Sequence, residues 1–199
     1  MKTLYLIIGA IGSGKSTICN RIFLRNEYKD CIYISSDYFK KKFFDVAVQV
    51  VNKGYRAGDE LSMKALDYYA KSENSNKDII MEFCPMRHNK IKTITSIIEE
   101  NHLNVVLIFI NTENDLINIE RKEQREKNGA DIVPKSKVER SYSITLENVW
   151  MFIDVANKVY FIDNSEENAK IVGLISNRKF AIIDKKCQWI NKMYNNIFR

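Results

Sequence analysis

Short apolar runs alternate along the chain with longer segments in which apolar residues recur every three or four positions. The short runs are rich in β-branched residues and predict strands at Leu4–Ile8, Cys31–Ser35, Ile79–Phe83, Val105–Ile110 and Val159–Ile162. The longer segments predict helices at Ser16–Leu24, Leu61–Tyr69, Asn89–Glu100, Asn114–Lys127 and Lys135–Asp154. Strands that alternate with helices favour right-handed crossovers, so the pattern predicts a three-layer α/β/α sandwich around a mainly parallel sheet.

The pattern changes after Asp163-Asn164-Ser165. Two further apolar runs, Ile171–Ile175 and Phe180–Ile183, flank a polar Ser-Asn-Arg-Lys stretch and predict a hairpin, and Asp184–Phe198 predicts a terminal helix. That helix carries one apolar stripe, which favours packing against the core over a partner-binding face. We therefore expect a short hairpin and a helix to follow the sandwich.

Composition sets the broad class. The chain has only two prolines and seven glycines, with no repeat or linker-like stretch, so its 199 residues predict one domain with a core at 1–165 and the hairpin and helix at 166–199. A net charge of +6 and a pI near 9.0 favour anionic ligands but do not separate nucleotides, nucleic acid and anionic lipid. Four scattered cysteines predict neither a zinc site nor disulfides. No run reaches the roughly 18 apolar residues of a membrane span, so we expect a soluble cytoplasmic protein without a membrane partner.

The segment Thr3–Thr17 carries the most specific motif. Gly9 is followed by four residues and then by Gly14, Lys15 and Ser16, which is the phosphate-binding loop (P-loop) pattern between a predicted strand and a predicted helix. The motif places the sheet in the P-loop NTPase or kinase class and predicts a nucleoside triphosphate ligand, ATP with GTP as the alternative, together with Mg²⁺. The residues that we expect to contact this ligand are Gly9, Gly12, Ser13, Gly14, Lys15, Ser16 and Thr17.

Each part of this motif has a physical role. Glycines allow a tight loop whose backbone N–H groups point at a polyphosphate, and the following helix adds the positive end of its dipole. Lys15 is expected to reach the β- and γ-phosphates, and the Ser16 hydroxyl is expected to ligate Mg²⁺, with Thr17 behind it.

Polar residues that follow strands are the next candidates, because ligands of parallel sheets lie beyond the carboxyl ends of the strands. Asp37 follows the second predicted strand, where a carboxylate can accept the proton of an attacking hydroxyl; the alternative is a cap for a helix that starts at Tyr38, a role that Ser36 could also fill. Glu82 ends a very apolar run, so we expect it to meet a cation, a metal-bound water or substrate hydroxyls. Its alternative is an ion pair with a nearby Lys or Arg.

The fourth predicted strand ends in Asn111 rather than in the Asp with which switch and motor nucleoside triphosphatases hold magnesium. This difference favours a small kinase, in which Ser16 and an Asp after the second strand organise the metal and the acceptor.

An arginine-rich segment follows the fourth strand. Arg121 and Arg125 lie one turn apart on one predicted helix face, and Arg140 follows a break at Gly129 to Pro134 that we expect to act as a hinge. Guanidinium groups suit the spread charge of a transferring phosphoryl group, so this segment predicts at least one catalytic arginine. Interspersed glutamates favour the alternative of a solvated helix face.

Three further basic residues have weaker support. Lys40 lies three residues after Asp37 and is either a contact for an anionic acceptor or part of a solvated helix face. Arg56 and Arg87 are expected in the acceptor cleft only from their position after predicted loops.

With these residues assembled, the chain resembles the zeta-toxin family of P-loop kinases. It is similar in GAIGSGKST, in the Asp37-x-Phe39-Lys40 step, in Glu82 after the third strand and in RKEQREKNGADIVPKSKVERSY. It is also similar at LENV and at ANKVYFIDNS, where Ala156 and Asp163-Asn164-Ser165 fall as in family members. The similarity spans roughly residues 3 to 165, and the combination of motifs is what is specific.

The resemblance implies phosphoryl transfer to a sugar hydroxyl of UDP-N-acetylglucosamine, which poisons cell-wall precursor synthesis, with an antitoxin protein as the neutralising partner. The site residues that it implies are Lys15 and Ser16 for the triphosphate and Mg²⁺, Asp37 as the base, Glu82 for the acceptor, Arg125 and Arg140 for the phosphates, and Asp163-Asn164-Ser165 for adenine.

The chain departs from the family at three places. Ile11 stands where relatives often carry Pro, Gly129-Ala130-Asp131 stands where they often have Gly-Gly-His, and Arg140-Ser141 stands where they often have paired arginines. Two alternatives therefore stay open. One is a polynucleotide or nucleoside 5′-hydroxyl kinase, which the net charge suits; the other is a nucleotide-binding regulatory module with slow hydrolysis.

Overall fold

The computed structural model describes residues 1–23, 28–42, 54–71 and 73–197. Its seven strands form one sheet in the order β2-β3-β1-β4-β5-β6-β7. The first five pair in parallel, whereas β6 pairs antiparallel with β5, and β7 antiparallel with β6. The strands are β1 (Thr3–Gly9), β2 (Ile32–Ser35), β3 (Ile79–Phe83), β4 (Asn104–Asn111), β5 (Lys158–Asp163), β6 (Lys170–Ser176) and β7 (Lys179–Ile182).

Helices cover the sheet and confirm the predicted α/β sandwich of the P-loop NTPase and kinase class. The described helices are α1 (Lys15–Ile22), α2 (Ser36–Lys42), α3 (Gly54–Ala70), α4 (His88–Glu100), α5 (Asp115–Lys127), α6 (Lys135–Asn148), α7 (Trp150–Ile153) and α8 (Gln188–Ile197). Two boundaries differ clearly from expectation. The segment predicted as one helix at 135–154 is divided at Val149, and α3 starts seven residues before the predicted Leu61.

The core lies on both faces of the sheet, as expected of parallel strands covered by helices. Along β1, Leu4, Leu6 and Ile8 join the larger buried cluster, which also contains side chains of α3, α4 and α8. Ile7 joins the smaller cluster with Ile18 and other side chains of α1. Successive strand residues face opposite sides, so β1 is fixed between two layers and its carboxyl end is held rigidly.

The parallel arrangement brings the carboxyl ends of β1 to β5 to one edge of the sheet. Gly9 ends β1 there, Glu82 lies beside Ile7 and Ser35 in the register of β3, and Asn111 pairs with Asp163 between β4 and β5. The candidate residues from four different strands are therefore neighbours in space.

The predicted C-terminal hairpin and helix are both present, although the helix starts at Gln188, four residues after the predicted Asp184. Asn177 and Arg178 both have positive φ, 51° and 59°, as a two-residue type I′ turn requires. Helix α8 packs its buried Trp189, Ile190 and Met193 into the larger cluster, so the apolar stripe is part of the core. None of the described helices is both long and apolar enough to cross a membrane.

Candidate active site

The P-loop wraps around the start of α1 in a conformation that depends on glycine. Gly12 and Gly14 have φ of 83° and 92°, which is the left-handed region. A Cβ at Gly12 would lie 2.5 Å from the backbone oxygen of Asn118, and one at Gly14 would lie 2.2 Å from Nδ2 of Asn164. Both positions therefore exclude side chains for two independent reasons, and Gly14 leaves the first N–H groups of α1 without a side-chain cap.

Two loop residues press against the sheet. A Cβ at Gly9 would lie 2.4 Å from the carbonyl oxygen of Ile110, so β1 and β4 approach closely where the loop leaves the sheet. Ser13 is fully buried, and its Oγ has no hydrogen-bond partner among the described residues. A buried hydroxyl without a partner in the loop is the kind of group that a bound phosphate would satisfy.

Lys15 folds back over the beginning of the loop. Its Nζ donates to the carbonyl oxygens of Gly9 and Ala10 at 2.9 and 2.7 Å. An ammonium group has three donors, so one remains for a ligand. The charge of Lys15 is therefore held at the carboxyl end of β1, as a phosphate-binding lysine requires.

Ser16, Tyr33 and Glu82 form a cluster below the loop. Glu82 is only 7% exposed; its Oε2 accepts from Ser16 Oγ at 2.7 Å, and its Oε1 accepts from the hydroxyl of Tyr33. The buried Cys19 thiol lies near this carboxylate. Burial raises the pKa of both Tyr33 and Cys19, and the Glu82 charge and hydrogen bonds raise each further, so both stay protonated donors.

The alternative considered for Glu82, an ion pair with a nearby Lys or Arg, is not formed within the described part of the chain, where this carboxylate accepts from the hydroxyls of Ser16 and Tyr33. A carboxylate and a hydroxyl next to a polyphosphate suit Mg²⁺, which keeps several waters and uses few protein ligands.

Asp37 lies in the first turn of α2, directly after β2, and is exposed. The helix begins at Ser36, two residues before the predicted start, and the N–H of Tyr38 donates to Ser35 Oγ at 3.2 Å. Ser35 therefore makes the capping contact at the start of the helix, the alternative role considered above for Asp37 or Ser36. The Asp37 carboxylate is left at the edge of the sheet that carries the P-loop.

A polar cluster anchors this turn. Ser36 Oγ donates to Asp59 Oδ1 at 2.8 Å, and Lys90 Nζ donates to Asp59 Oδ2. Ser62 Oγ lies 3.5 Å from Ser36 Oγ. Asp59 comes from α3 and Lys90 from α4, so three helices meet beside Asp37.

On the other side of the P-loop, α1, α5 and the segment after β5 line a cleft of about 310 Å³. Arg121 and Arg125 of α5 both border it, which confirms that they share a helix face. Arg121 donates from Nη2 to the carbonyl oxygens of Ser165 and Glu166 at 3.4 and 3.5 Å, while its Nη1 is buried without a described partner. Burial, followed by the charge of Arg125, lowers the pKa of Arg121.

After β5, Asn164, Glu166 and Glu167 line this cleft. Asn164 Nδ2 donates to the carbonyl oxygen of Ser13 at 2.8 Å, and Ser165 Oγ donates to Asp163 Oδ1 at 2.7 Å. Of the residues predicted to lie near adenine, Asn164 is therefore in direct contact with the P-loop.

Helix α6 contacts the P-loop through a side-chain hydrogen bond. Ser141 Oγ accepts the N–H of Ile11 at 3.0 Å, and Tyr142 donates from its hydroxyl to the carbonyl oxygen of Thr112 at 2.8 Å. Arg140 precedes Ser141 and is exposed. Gly129 has a φ of 86° in the segment that joins α5 to α6, and the N–H of Val133 donates to Glu126 Oε1 at 2.6 Å, which ties that segment to α5.

The remaining candidates lie at the margins. Thr17 borders the cleft, and Arg87 is exposed just before α4. Asn111 is buried and donates to the hydroxyl of Tyr142 at 3.5 Å. The side chains of Lys40 and Arg56 lie outside the described part of the structure.

Sequence reasoning missed several residues that hold the site. Tyr33, Asp59, Ser141 and Trp189 each contact a candidate residue or its immediate neighbour, and Lys90 holds Asp59. Only Trp189 carried a signal, because a buried indole N–H usually needs an acceptor. The others are ordinary polar residues in helices or strands, and only the fold reveals their partners.

The sequence of this chain matches a known protein family. Residues 4–143 match a family model, AAA_33, described as an AAA domain. Compared with curated proteins, the chain has no significant match.

Solved structures share the fold at low identity. The AvrRxo1-ORF1:-ORF2 complex solved with ATP is 16% identical with a TM-score of 0.71, over 99% of this chain and 63% of that chain. The PezAT chromosomal toxin-antitoxin system of Streptococcus pneumoniae is 13% identical with a TM-score of 0.59, over 98% of this chain and 86% of that chain. This chain thus spans less than two thirds of the first structure, and at such identities the likeness establishes the fold alone.

Proposed function

We propose that this chain, which belongs to the AAA domain family AAA_33, is a kinase that transfers the γ-phosphoryl group of ATP to a hydroxyl of a small anionic acceptor. The observation that carries the proposal is the hydrogen bond of 2.7 Å between Ser16 Oγ and the buried Glu82 carboxylate beside the P-loop. It places beside the polyphosphate site a carboxylate without a Lys or Arg partner among the described residues, which suits a nucleotide-bound divalent cation.

The P-loop would hold the triphosphate. The backbone N–H groups at residues 12–16 would surround it, and Lys15 would turn one or more of its donors from the Gly9 and Ala10 carbonyls to the phosphates. Ser13 Oγ, buried without a described partner, would gain one. Ser16 and Glu82 would hold Mg²⁺, which when bound neutralises the charge on the β- and γ-phosphate oxygens.

Asp37 would be the general base. Its carboxylate is exposed at the carboxyl edge of the sheet, and the Ser36–Asp59–Lys90 cluster fixes the helix start that carries it. It would accept the proton of the acceptor hydroxyl as the oxygen bonds to the γ-phosphorus and the bond to the bridging oxygen of ADP breaks. Charge is conserved, because the proton moves to Asp37 and the electron pair leaves with ADP.

Arginines would stabilise the transferring group. Arg125 borders the cleft beside the P-loop, and Arg140 precedes the residue that binds the Ile11 N–H. Arg121, Asp163 and Asn164 would surround the nucleoside. We propose ATP as the preferred nucleotide, with GTP as the alternative.

The acceptor that best fits the combined motifs is a nucleotide-sugar such as UDP-N-acetylglucosamine. Support comes from the resemblance of the P-loop, Asp37, Glu82 and arginine motifs to the zeta-toxin family. The structural likeness to the PezAT toxin-antitoxin system and to the AvrRxo1-ORF1:-ORF2 complex further supports an antitoxin-like protein partner.

The test is an acceptor screen. Purified protein is incubated with ATP, Mg²⁺ and a panel of nucleotide-sugars, nucleosides and 5′-hydroxyl oligonucleotides, and mass spectrometry detects phosphorylated acceptor. We expect a gain of one phosphoryl group on a nucleotide-sugar. Lys15→Ala should abolish this gain, because it removes the charge that acts on the moving phosphate.

Three results would contradict the proposal. Phosphorylation only of oligonucleotides would identify a polynucleotide kinase, and ATP hydrolysis that no acceptor stimulates would favour a regulatory module. Unchanged transfer by the Lys15→Ala variant would place the chemistry outside the P-loop.

A further inference from the structure

Helix α8 reaches the candidate nucleotide site through one polar contact. Trp189 is 4% exposed, and its Nε1 donates to Asp163 Oδ1 at 2.9 Å. The indole ring meets Phe109 of β4 edge-on, with centroids 5.8 Å apart. The rest of the buried α8 face, including Ile190 and Met193, is apolar, so this N–H is the place where the core side of the helix makes a directional contact.

Asp163 connects that contact to the segment after β5. The same Oδ1 accepts from Ser165 Oγ, which in turn accepts the N–H of Glu113 at 2.8 Å. The N–H of Asn164 donates to the carbonyl oxygen of Asn111 at 2.8 Å. The carboxylate is therefore the point at which α8 and the Asn164-Ser165 turn are joined.

The turn is in contact with the P-loop. Asn164 Nδ2 donates to the Ser13 carbonyl oxygen at 2.8 Å and occupies the space that a Cβ at Gly14 would need. Arg121 donates to the carbonyl oxygen of Ser165 from across the cleft. A continuous path of contacts thus runs from Trp189 through Asp163 and Asn164 to Ser13.

We propose that Trp189 is a positioning residue for nucleoside triphosphate binding, and that the C-terminal hairpin and helix complete the nucleotide site rather than form an appendage. The inference rests on the proposed function, since it takes the cleft beside the P-loop as the place where the nucleoside binds. Trp189 acts by holding Asp163, which holds Asn164 against the loop; it does not touch the ligand.

The test compares two variants of adjacent residues of α8. Trp189→Phe keeps an aromatic ring against Phe109 but removes the N–H, whereas Ile190→Val removes a buried methyl group and leaves the Asp163 contact intact. Affinity for ATP with Mg²⁺ is measured by calorimetry on the full chain, below the melting temperature of both variants. Lys15→Ala serves as the reference for loss of nucleotide binding.

We expect Trp189→Phe to weaken ATP binding by about fivefold or more, as coupling between linked sites typically does, and Ile190→Val to bind within about twofold of the unchanged protein. In a protein that already carries Asn164→Ala, Trp189→Phe should reduce ATP affinity little further, because the Asn164 contact with the P-loop is already absent. If Trp189→Phe does not fold, Trp189→Leu, which also lacks the N–H that Asp163 accepts, is measured instead and should weaken ATP binding.

Three results would overturn the inference. Unchanged ATP affinity of a folded Trp189→Phe, with binding still lost in Lys15→Ala, would refute it and leave the proposed function standing. Equal losses in Trp189→Phe and Ile190→Val would show that only general stability matters. Absence of ATP and GTP binding by the unchanged protein would refute the proposed function and this inference together.

Discussion

Residues from three separate elements contact the P-loop on the side where we place the nucleotide. Asp37, on the other side, lies at the start of α2, where a polar cluster around Asp59 holds the first turn. Asn118 of α5, Asn164 after β5 and Ser141 of α6 each touch the loop backbone or fill the space beside it. At the start of α2, Ser36 hydrogen-bonds to Asp59 of α3, which in turn pairs with Lys90 of α4.

Because of this difference, we expect substitutions in the two parts of the site to affect different quantities, either ATP affinity or turnover. Interactions formed before the ligand arrives preorganise the nucleotide side, and they lie far from Asp37 in the sequence and in the sheet. Changes near Asp37 should therefore reduce turnover with little effect on ATP affinity, and changes around the loop should reduce affinity.

The largest effect is expected from Asp37→Asn. The amide cannot accept the hydroxyl proton, so kcat should fall by about 100-fold to 10,000-fold, the usual range for a general base. ATP affinity should stay unchanged, because the substitution leaves the loop contacts intact. Transfer kinetics and calorimetry on the same preparations measure both quantities.

Asp67→Asn is the matched control, since this exposed carboxylate of α3 pairs only with Lys71 among the described residues. An equal loss of ATP binding and turnover in Asp37→Asn would make Asp37 a metal ligand and would break the separation between the two sides.

Gly12→Ala should break the nucleotide side. The new Cβ would lie 2.5 Å from the Asn118 backbone oxygen at a φ that L residues avoid, so the loop must move. We expect ATP affinity to fall by at least about 100-fold, since misplaced donors lose most of their interaction with the phosphates. Calorimetric titration with ATP and Mg²⁺ measures the loss.

Gly129→Ala separates the effect of the positive φ from the effect of the contact with Asn118. Gly129 has a similar φ of 86°, but its Cβ would meet nothing within 4 Å. This variant should lose about 1 kcal/mol of stability from backbone strain and keep its ATP affinity. Equal losses of affinity in the two variants would contradict the view that the Asn118 contact shapes the loop.

A smaller effect is expected from Asp59→Asn. The amide keeps an acceptor for Ser36 but removes the charge that pairs with Lys90, whose side chain is 12% exposed. The start of α2 should loosen, and kcat should fall by about tenfold while ATP affinity stays unchanged. Asp67→Asn, which breaks an exposed pair with Lys71, again serves as the control and should change neither. A loss of ATP affinity in Asp59→Asn would show that the polar cluster supports the loop as well.

The sequence predicted those parts of the molecule that depend on local patterns. The third strand, Ile79–Phe83, is confirmed to the residue, because its apolar run starts directly after a polar residue and is followed closely by a proline. The glycine spacing of the P-loop predicted the tight turn, since only glycine tolerates the left-handed conformation at residues 12 and 14. The carboxylate of Glu82 stood out because the surrounding run is apolar.

The remaining contacts had no local signal. Ser36 and Asp59 are separated by 23 residues, Trp189 and Asp163 by 26, and Ile11 and Ser141 by 130. Single serines and aspartates in such segments are usually solvated, so nothing in the sequence marks them as partners. The division of the predicted 135–154 helix at Val149 is likewise a tertiary effect, because no Gly or Pro stands there.

The smallest effect is expected from Tyr142→Phe on the nucleotide side, where the lost hydroxyl joins α6 to the Thr112 carbonyl rather than to the loop. ATP affinity should stay within about twofold, and the free energy of unfolding should fall by about 1 kcal/mol near pH 8. Burial raises the pKa of Tyr142 to about 12, so the folded protein keeps the proton to higher pH than the unfolded chain.

The stabilisation from Tyr142 should therefore be complete below about pH 10, the ordinary tyrosine pKa, and disappear as the pH rises through about 12. Denaturant unfolding of the unchanged protein and of Tyr142→Phe across this range measures the difference, and the exposed Tyr68 supplies the control variant Tyr68→Phe. A difference that does not shrink above pH 10 would show that packing of the ring, not the protonated hydroxyl, holds α6 in place. A loss of ATP affinity as large as that of Gly12→Ala would instead extend the preorganised side of the site to α6 as a whole.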